Sequence, residues 1–138
     1  MNGQTASKRE TVEVAIVGAG FGGLCMAIRL LESGVRDFVV LEKGADVGGT
    51  WRDNTYPGAA CDVQSHFYSY SFDGKPDWSA RYAGWREIQD YILDVTRRHG
   101  LRGHIRFGRT VNSAHFDAQN GRWTVGTAGG ERFVARHV

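Results

Sequence analysis

The sequence predicts an α/β fold, a parallel sheet with a crossover helix followed by a β-meander. Three observations carry that expectation. Val12 to Val17 is a short β-branched run that leads into GAGFGG and then into an amphipathic stretch. Asp37 to Leu41 is a second apolar run, which completes a strand–helix–strand unit of ordinary length. Asn120-Gly121 lies between two strand-like segments, a strong hairpin signal.

Each element has its own reason. Val12 to Val17 (VEVAIV) reads as a buried strand because nearly every position is apolar. The helix LCMAIRLLESG, from Leu24, sets Leu24, Ala27, Ile28 and Leu31 on one face and stops at Gly34. DFVVL forms the second strand, so the two strands are expected to run parallel with a right-handed crossover. From Gly44 to about Ala83 no period is legible, and a long irregular stretch rich in glycine and aromatics is read as functional. Trp85 to His99 is an amphipathic packing helix, with Ile88, Tyr91, Ile92 and Val95 on one face and Gly100 as its cap. Ile105 to Phe107, Arg109 to Phe116, Arg122 to Thr127 and Arg132 to Val138 read as strands. The last of them is expected to stop short of the strand that would return to the parallel sheet.

Composition narrows the function classes. With 41% hydrophobic and 23% charged residues, 138 residues suit one globular domain, read as a flexible polar tail over 1–10 and a folded body over 11–138. A net charge of +2 without a basic face gives no sign of nucleic-acid binding. The polar start MNGQTASKRE lacks a signal-peptide pattern, and no apolar run reaches the roughly 20 residues of a membrane span. Cys25 and Cys61 have no ligand or redox spacing, so a reduced, cytoplasmic protein is expected. His66, His99, His104, His115 and His137 show no zinc spacing, so no metal is expected. Ser65 and His66 beside Asp62 resemble a triad in composition only, because adjacent residues point apart.

The chemistry starts at Gly18-Ala19-Gly20-Phe21-Gly22-Gly23. GxGxxG alone is a weak signal, but here it follows a strand and opens a helix. Gly18 permits the tight turn, Gly20 lets backbone approach a pyrophosphate, and Gly23 lets the helix sit close to the strand. The helix N-terminus then offers free N–H groups and positive dipole to the phosphates. Glu42 ends the second strand roughly 20 residues further on, where a carboxylate accepts ribose hydroxyls and repels a 2′-phosphate. The turn therefore favours FAD or NAD over NADP and does not choose between the first two. Ala27 and Gly34 extend the motif to GxGxxGxxxAxxxxxxG, which resembles the N-terminal motif of two-dinucleotide-binding flavoproteins with their Rossmann-like FAD domain. That resemblance favours FAD.

Gly48 to Asp62 reads GGTWRDNTYPGAACD. It resembles, position by position, the pattern [A/G]-G-x-W-x-x-x-x-[F/Y]-P-[G/M]-x-x-x-D of type I Baeyer–Villiger monooxygenases. Gly48, Gly49, Trp51, Tyr56, Pro57, Gly58 and Asp62 fill its seven fixed places. Ser65, Tyr68, Ser71, Phe72 and the stretch WSARYAGWREIQDYI are also similar to that family. Physically, Gly48 and Gly49 allow close backbone approach to a ligand, and Trp51 and Tyr56 offer flat faces beside a flat ring. Packing alone could also employ Trp51 and Tyr56, and Asp62 could cap a turn. A buried Asp62 among aromatics would need a partner.

The resemblance implies an NADPH- and O₂-dependent flavin enzyme that turns ketones into esters or lactones through a C4a-peroxyflavin. It further implies that Asp62 lies near the flavin and orients a catalytic arginine, and that Tyr68 and the Val111 backbone touch FAD. The expected cofactor set is Gly18, Gly20, Phe21, Gly23, Glu42, Lys43, Gly49, Thr50, Trp51, Tyr56, Asp62, Tyr68 and Val111. An N- or S-oxygenating flavin monooxygenase and a non-catalytic FAD- or NAD-binding module remain alternatives. A second GxGxxG for NADPH, the fingerprint FxGxxxHxxxW and the catalytic arginine are not found in these 138 residues. The stretch is thus read as a partial FAD-binding domain, inactive by itself, with NADPH held mainly elsewhere.

Overall fold

A computed structural model describes residues 9–138. The expected tail lies outside the described residues up to residue 8, and its boundary moves. Arg9 and Glu10 already belong to the first strand, where they pair with Arg132 and Phe133. No local pattern announces that partner, because it lies at the far end of the chain.

In chain order the elements are β1 (Arg9–Val17), α1 (Phe21–Glu32), β2 (Phe38–Leu41), α2 (Thr50–Asp53), α3 (Trp85–Arg98), β3 (Ile105–Arg106), β4 (Val111–Asp117), β5 (Arg122–Thr127) and β6 (Arg132–His137). They build one six-stranded sheet of order β3-β2-β1-β6-β5-β4. β1 pairs in parallel with β2 and β6, and β2 with β3, while β4, β5 and β6 form an antiparallel meander. All four β2 residues are buried. Phe38 and Val40 face the helical side with Leu24, Ile28, Ile88 and Ile92, whereas Val39 and Leu41 face the other side with Val12, Ala15, Val125 and Phe133. That two-sided burial explains why β2 reads as a continuous apolar run.

One expectation is overturned. The strand returning to the parallel sheet is present: β6 is both the last strand of the meander and the parallel neighbour of β1, with Val14 opposite His137. A strand with an antiparallel partner on one side and a parallel partner on the other has no sequence period that distinguishes the two. The hairpin also differs in detail. Asp117 pairs with Arg122, so four residues connect the strands, and the Asp117 carboxylate accepts the Gln119 and Asn120 N–H groups.

α1 begins at Phe21 instead of Leu24, because Gly22 and Gly23 within its first turn carry no apolar signal and interrupt the period. Its end follows expectation. Gly34 adopts φ +83°, its N–H donates to the Leu31 carbonyl, and the Val35 N–H donates to the Leu30 carbonyl. That pair of bonds satisfies carbonyls that the helix leaves unpartnered.

The irregular segment is held by specific contacts. The Ser65 hydroxyl lies 2.8 Å from the Ala80 carbonyl and accepts the Ala83 N–H, so a buried polar side chain closes the loop. The Tyr70 hydroxyl donates to the Phe21 carbonyl at 2.6 Å, and the Tyr91 hydroxyl accepts the Tyr70 N–H. Burial pushes the Tyr70 phenol far above its usual range, so it remains a donor. Asp73, 10% exposed, receives Arg98 at 2.5 and 2.7 Å and His99 at 2.9 Å. Burial raises this carboxyl, but the Arg98 and His99 contacts outweigh it and hold the group below the usual range.

Two outcomes follow for stability. A methyl on Gly23 would overlap the Gly18 carbonyl oxygen, whereas one on Gly22 would meet nothing. Gly23→Ala should therefore cost about 1–3 kcal/mol, and Gly22→Ala should gain up to about 1 kcal/mol from helix propensity, both read by urea unfolding. Asp73→Asn should lose on the order of 1 kcal/mol at pH 7. Because the folded pKa of Asp73 is depressed, that stabilisation is complete above the unfolded value of about 3.9 and is lost as pH falls through the folded value. The deficit of Asp73→Asn should shrink accordingly between unfolding curves at pH 7 and pH 3.

Candidate dinucleotide site

The turn after β1 is built from backbone. Gly18 takes φ +92°, which a side chain would strain, and its N–H donates to the Leu41 carbonyl. Gly23 lies so close to the Gly18 carbonyl and the Ile16 side chain that no Cβ fits. Gly20 differs from both. Its φ is −87°, and a Cβ there would meet only the Gly49 Cα at an ordinary 3.8 Å. Neither the backbone nor a neighbour requires a glycine at this position.

The Gly48-Gly49 loop packs on the turn. The Gly48 N–H donates to the Ala19 carbonyl at 2.9 Å, and a Cβ on Gly49 would stand 3.3 Å from the Gly20 Cα. A side chain on Gly48 would overlap the Gln89 amide, whose nitrogen donates to the Val47 carbonyl. These two glycines thus serve close approach between parts of the protein itself, from α3 on one side and the turn on the other.

Glu42 is 3% exposed. Its Oε2 accepts the Ala19 N–H at 2.7 Å, and its Oε1 accepts the Gly44 N–H at 2.7 Å and the Arg52 Nη1 at 2.8 Å. Burial raises its pKa, but those N–H donors and the Arg52 charge prevail and hold the carboxyl below its usual range. It is an ionised acceptor at neutral pH.

A cleft of about 370 Å³ runs along these groups. It brings together seven of the expected residues, Gly18, Gly20, Glu42, Lys43, Gly49, Thr50 and Val111. The sequence reading missed Arg52, Asp53, Asn54, Arg109 and Thr110, which also line it. Arg52 and its neighbours fill variable places of the pattern, and Arg109 and Thr110 follow β3, where the Arg109 N–H donates to the Glu42 carbonyl across a long sequence gap, so spacing carried no signal for them.

The remaining expected residues lie apart. Phe21 and Tyr68 border a separate hollow of about 250 Å³, with their rings edge-on at 5.2 Å. Trp51 is half-buried and donates its indole N–H to the Tyr68 hydroxyl at 3.0 Å. Burial raises the Tyr68 phenol. Tyr56 is 63% exposed, which excludes a core role for it. Asp62 is exposed as well, so the need for a buried partner does not arise. Among the described residues no group of three or more His, Cys, Asp and Glu side chains is arranged to hold a metal ion, and no helix is long and apolar enough to cross a membrane.

Known proteins share this arrangement. The NAD(P)-binding Rossmann-like domain model matches residues 16–84. A Baeyer-Villiger monooxygenase of Streptomyces coelicolor is 49% identical over 121 residues, which is 88% of this chain and 23% of that protein. An FAD-binding monooxygenase of Aspergillus niger is 51% identical over 116 residues, 83% of this chain and 19% of that protein. Among solved structures, an oxidised steroid monooxygenase bound to NADP superposes with a TM-score of 0.85 at 42% identity, covering 91% of this chain and 25% of that one. The chain spans about a quarter or less of the length of these relatives. With its β1–α1 glycine turn, its strand-end carboxylate and this kinship, the chain belongs to the NAD(P)-binding Rossmann-like domain family, in the form that Baeyer–Villiger monooxygenases carry.

Proposed function

We propose that this chain binds the ADP portion of FAD and forms part of an NADPH- and O₂-dependent flavin monooxygenase that oxidises ketones to esters or lactones. One observation carries the binding assignment. Gly20 is a glycine that neither its backbone angles nor its neighbours require, at the N-terminus of a helix and on the wall of a cleft. Space for a pyrophosphate explains it. The residues fit that group: α1 turns its positive end to the cleft, and Glu42 stands ionised on the same wall to accept a ribose hydroxyl. Lys43, Gly49, Thr50 and Val111 complete the walls. FAD would supply the oxygenation chemistry, while this chain positions it and sets the local charge.

On this reading Trp51, Tyr56, Tyr68 and Phe21 flank the ring end of the cofactor, and Asp62, exposed beside them, orients a cation supplied by the longer enzyme. NADPH and the ketone are held mainly by residues of the longer enzyme, which also supplies the positive charge that oxygenation needs. Cys25 and Cys61 are free thiols, which suits a reducing compartment such as the cytoplasm.

A folded Gly20→Val chain should bind FAD at least a hundredfold more weakly than the native chain by flavin-fluorescence titration. Equal affinity in a folded Gly20→Val chain removes the phosphate assignment. In an enzyme of the relatives' length, Asp62→Ala should lower ketone turnover at least tenfold with flavin content unchanged. Full turnover there leaves Asp62 with no part in the reaction.

A further inference from the structure

Arg52 occupies a variable position of the family pattern, yet the structure builds a place for it. Its Nη1 donates to Glu42 Oε1 at 2.8 Å and to the Asp46 carbonyl, and its Nε donates to Asp53 at 2.8 Å. The side chain is 18% exposed and lines the same cleft as Glu42. It fits because residue 44 is a glycine. A Cβ there would overlap the Arg52 guanidinium, and the three nearest atoms all belong to it. Gly44 does not have a positive φ, so its conformation gives no separate reason for a glycine.

The consequence lies in the lone pairs of Glu42. A carboxylate offers about four acceptor sites. Gly44 and Arg52 fill those on Oε1, and Ala19 takes one on Oε2. One acceptor remains, on Oε2. Arg52 also ties the end of β2 to α2, and the loop before α2 packs against the phosphate turn at Gly20.

We infer that Arg52 is the positioning residue of the ribose subsite, fixing Glu42 so that a single oxygen faces a nucleoside diphosphate whose ribose carries a free hydroxyl. This rests on the FAD reading above. The Arg52 charge is spent on Glu42 and Asp53, so the subsite keeps a net preference for a hydroxyl over a 2′-phosphate. The other charged groups around Glu42 are Lys43 beside it, Asp46 in the next loop, and Arg106 and Arg109 on and after β3.

The test uses the full chain, with FAD and ADP as probes. Arg52→Met and, separately, Gly44→Ala, which expels the guanidinium without removing it, should each weaken FAD and ADP binding roughly tenfold, or about 1.4 kcal/mol. Arg52→Lys should recover part of the loss. In the native chain affinity should hold until pH falls through the depressed Glu42 value. In Arg52→Met that fall should begin at higher pH, because burial of Glu42 is no longer offset. A readout without ligand comes from hydrogen exchange: the Ala19 and Gly44 amides should exchange at least tenfold faster in both variants, with Ala15 and Val40 unchanged. If Arg52→Met matches the native chain in exchange, affinity and pH profile, the role of Arg52 is overturned while FAD binding stands. If the native chain binds neither FAD nor ADP, although exchange responds to Arg52, the cofactor reading fails and the ribose role falls with it.

Discussion

The contact between Gly23 and the Gly18 carbonyl governs this structure. It brings the first turn of α1 against the end of β1 with no side chain between them. Helix and strand can approach so closely only where a Cβ is missing, and the resulting turn directs the helix N-terminus into open space. Other backbone then stacks on the same point. The Gly18 N–H reaches β2 at Leu41, the Gly48 N–H reaches Ala19, and Gly49 lies against Gly20. Main chain at Gly18, Gly20 and Gly49 thus forms the floor on which the charged side chains of the cleft, Glu42 and Arg52 among them, are set.

Electrostatics complete what the backbone begins. A carboxylate as enclosed as Glu42 would be costly alone, and burial by itself would favour its neutral form. Two backbone N–H groups and one guanidinium reverse that balance. The same three donors fix the orientation of the group, so charge and geometry come from a single set of contacts. Asp73 follows the same logic at the far end of α3, where Arg98 and His99 hold it. There it anchors the irregular segment to a helix.

That segment has order without a period. Tyr70 bonds the Phe21 carbonyl and stacks on Phe72, and Trp51 meets Tyr68 edge-on. Aromatic rings with polar tips can hold a loop in this way, because each buries a large area and still satisfies its hydroxyl or N–H. The first residue of α1 is therefore held by side chains some fifty positions away, and the phosphate turn and the aromatic face share one support.

Much of this was legible in the sequence, for a local reason. β1, α1, β2 and α3 announce themselves by period and by capping glycines, since burial on one or two faces leaves a direct imprint on residue order. Gly18, Gly20 and Gly23 were legible because turn geometry and helix polarity act over a few residues, and Glu42 because it ends the strand that the strand–helix–strand spacing sets beside the turn. Long-range pairing was not. That β6 returns to β1, that Arg9 and Glu10 are strand, and that Arg109 joins Glu42 in the cleft depend on segments distant in the chain, with no local pattern to announce their pairing. The sequence by itself determined the local elements and the glycine geometry of the turn. The tertiary structure alone decided that Arg52 reaches Glu42 through the space left at Gly44, because a contact made possible by a missing side chain leaves no periodic trace.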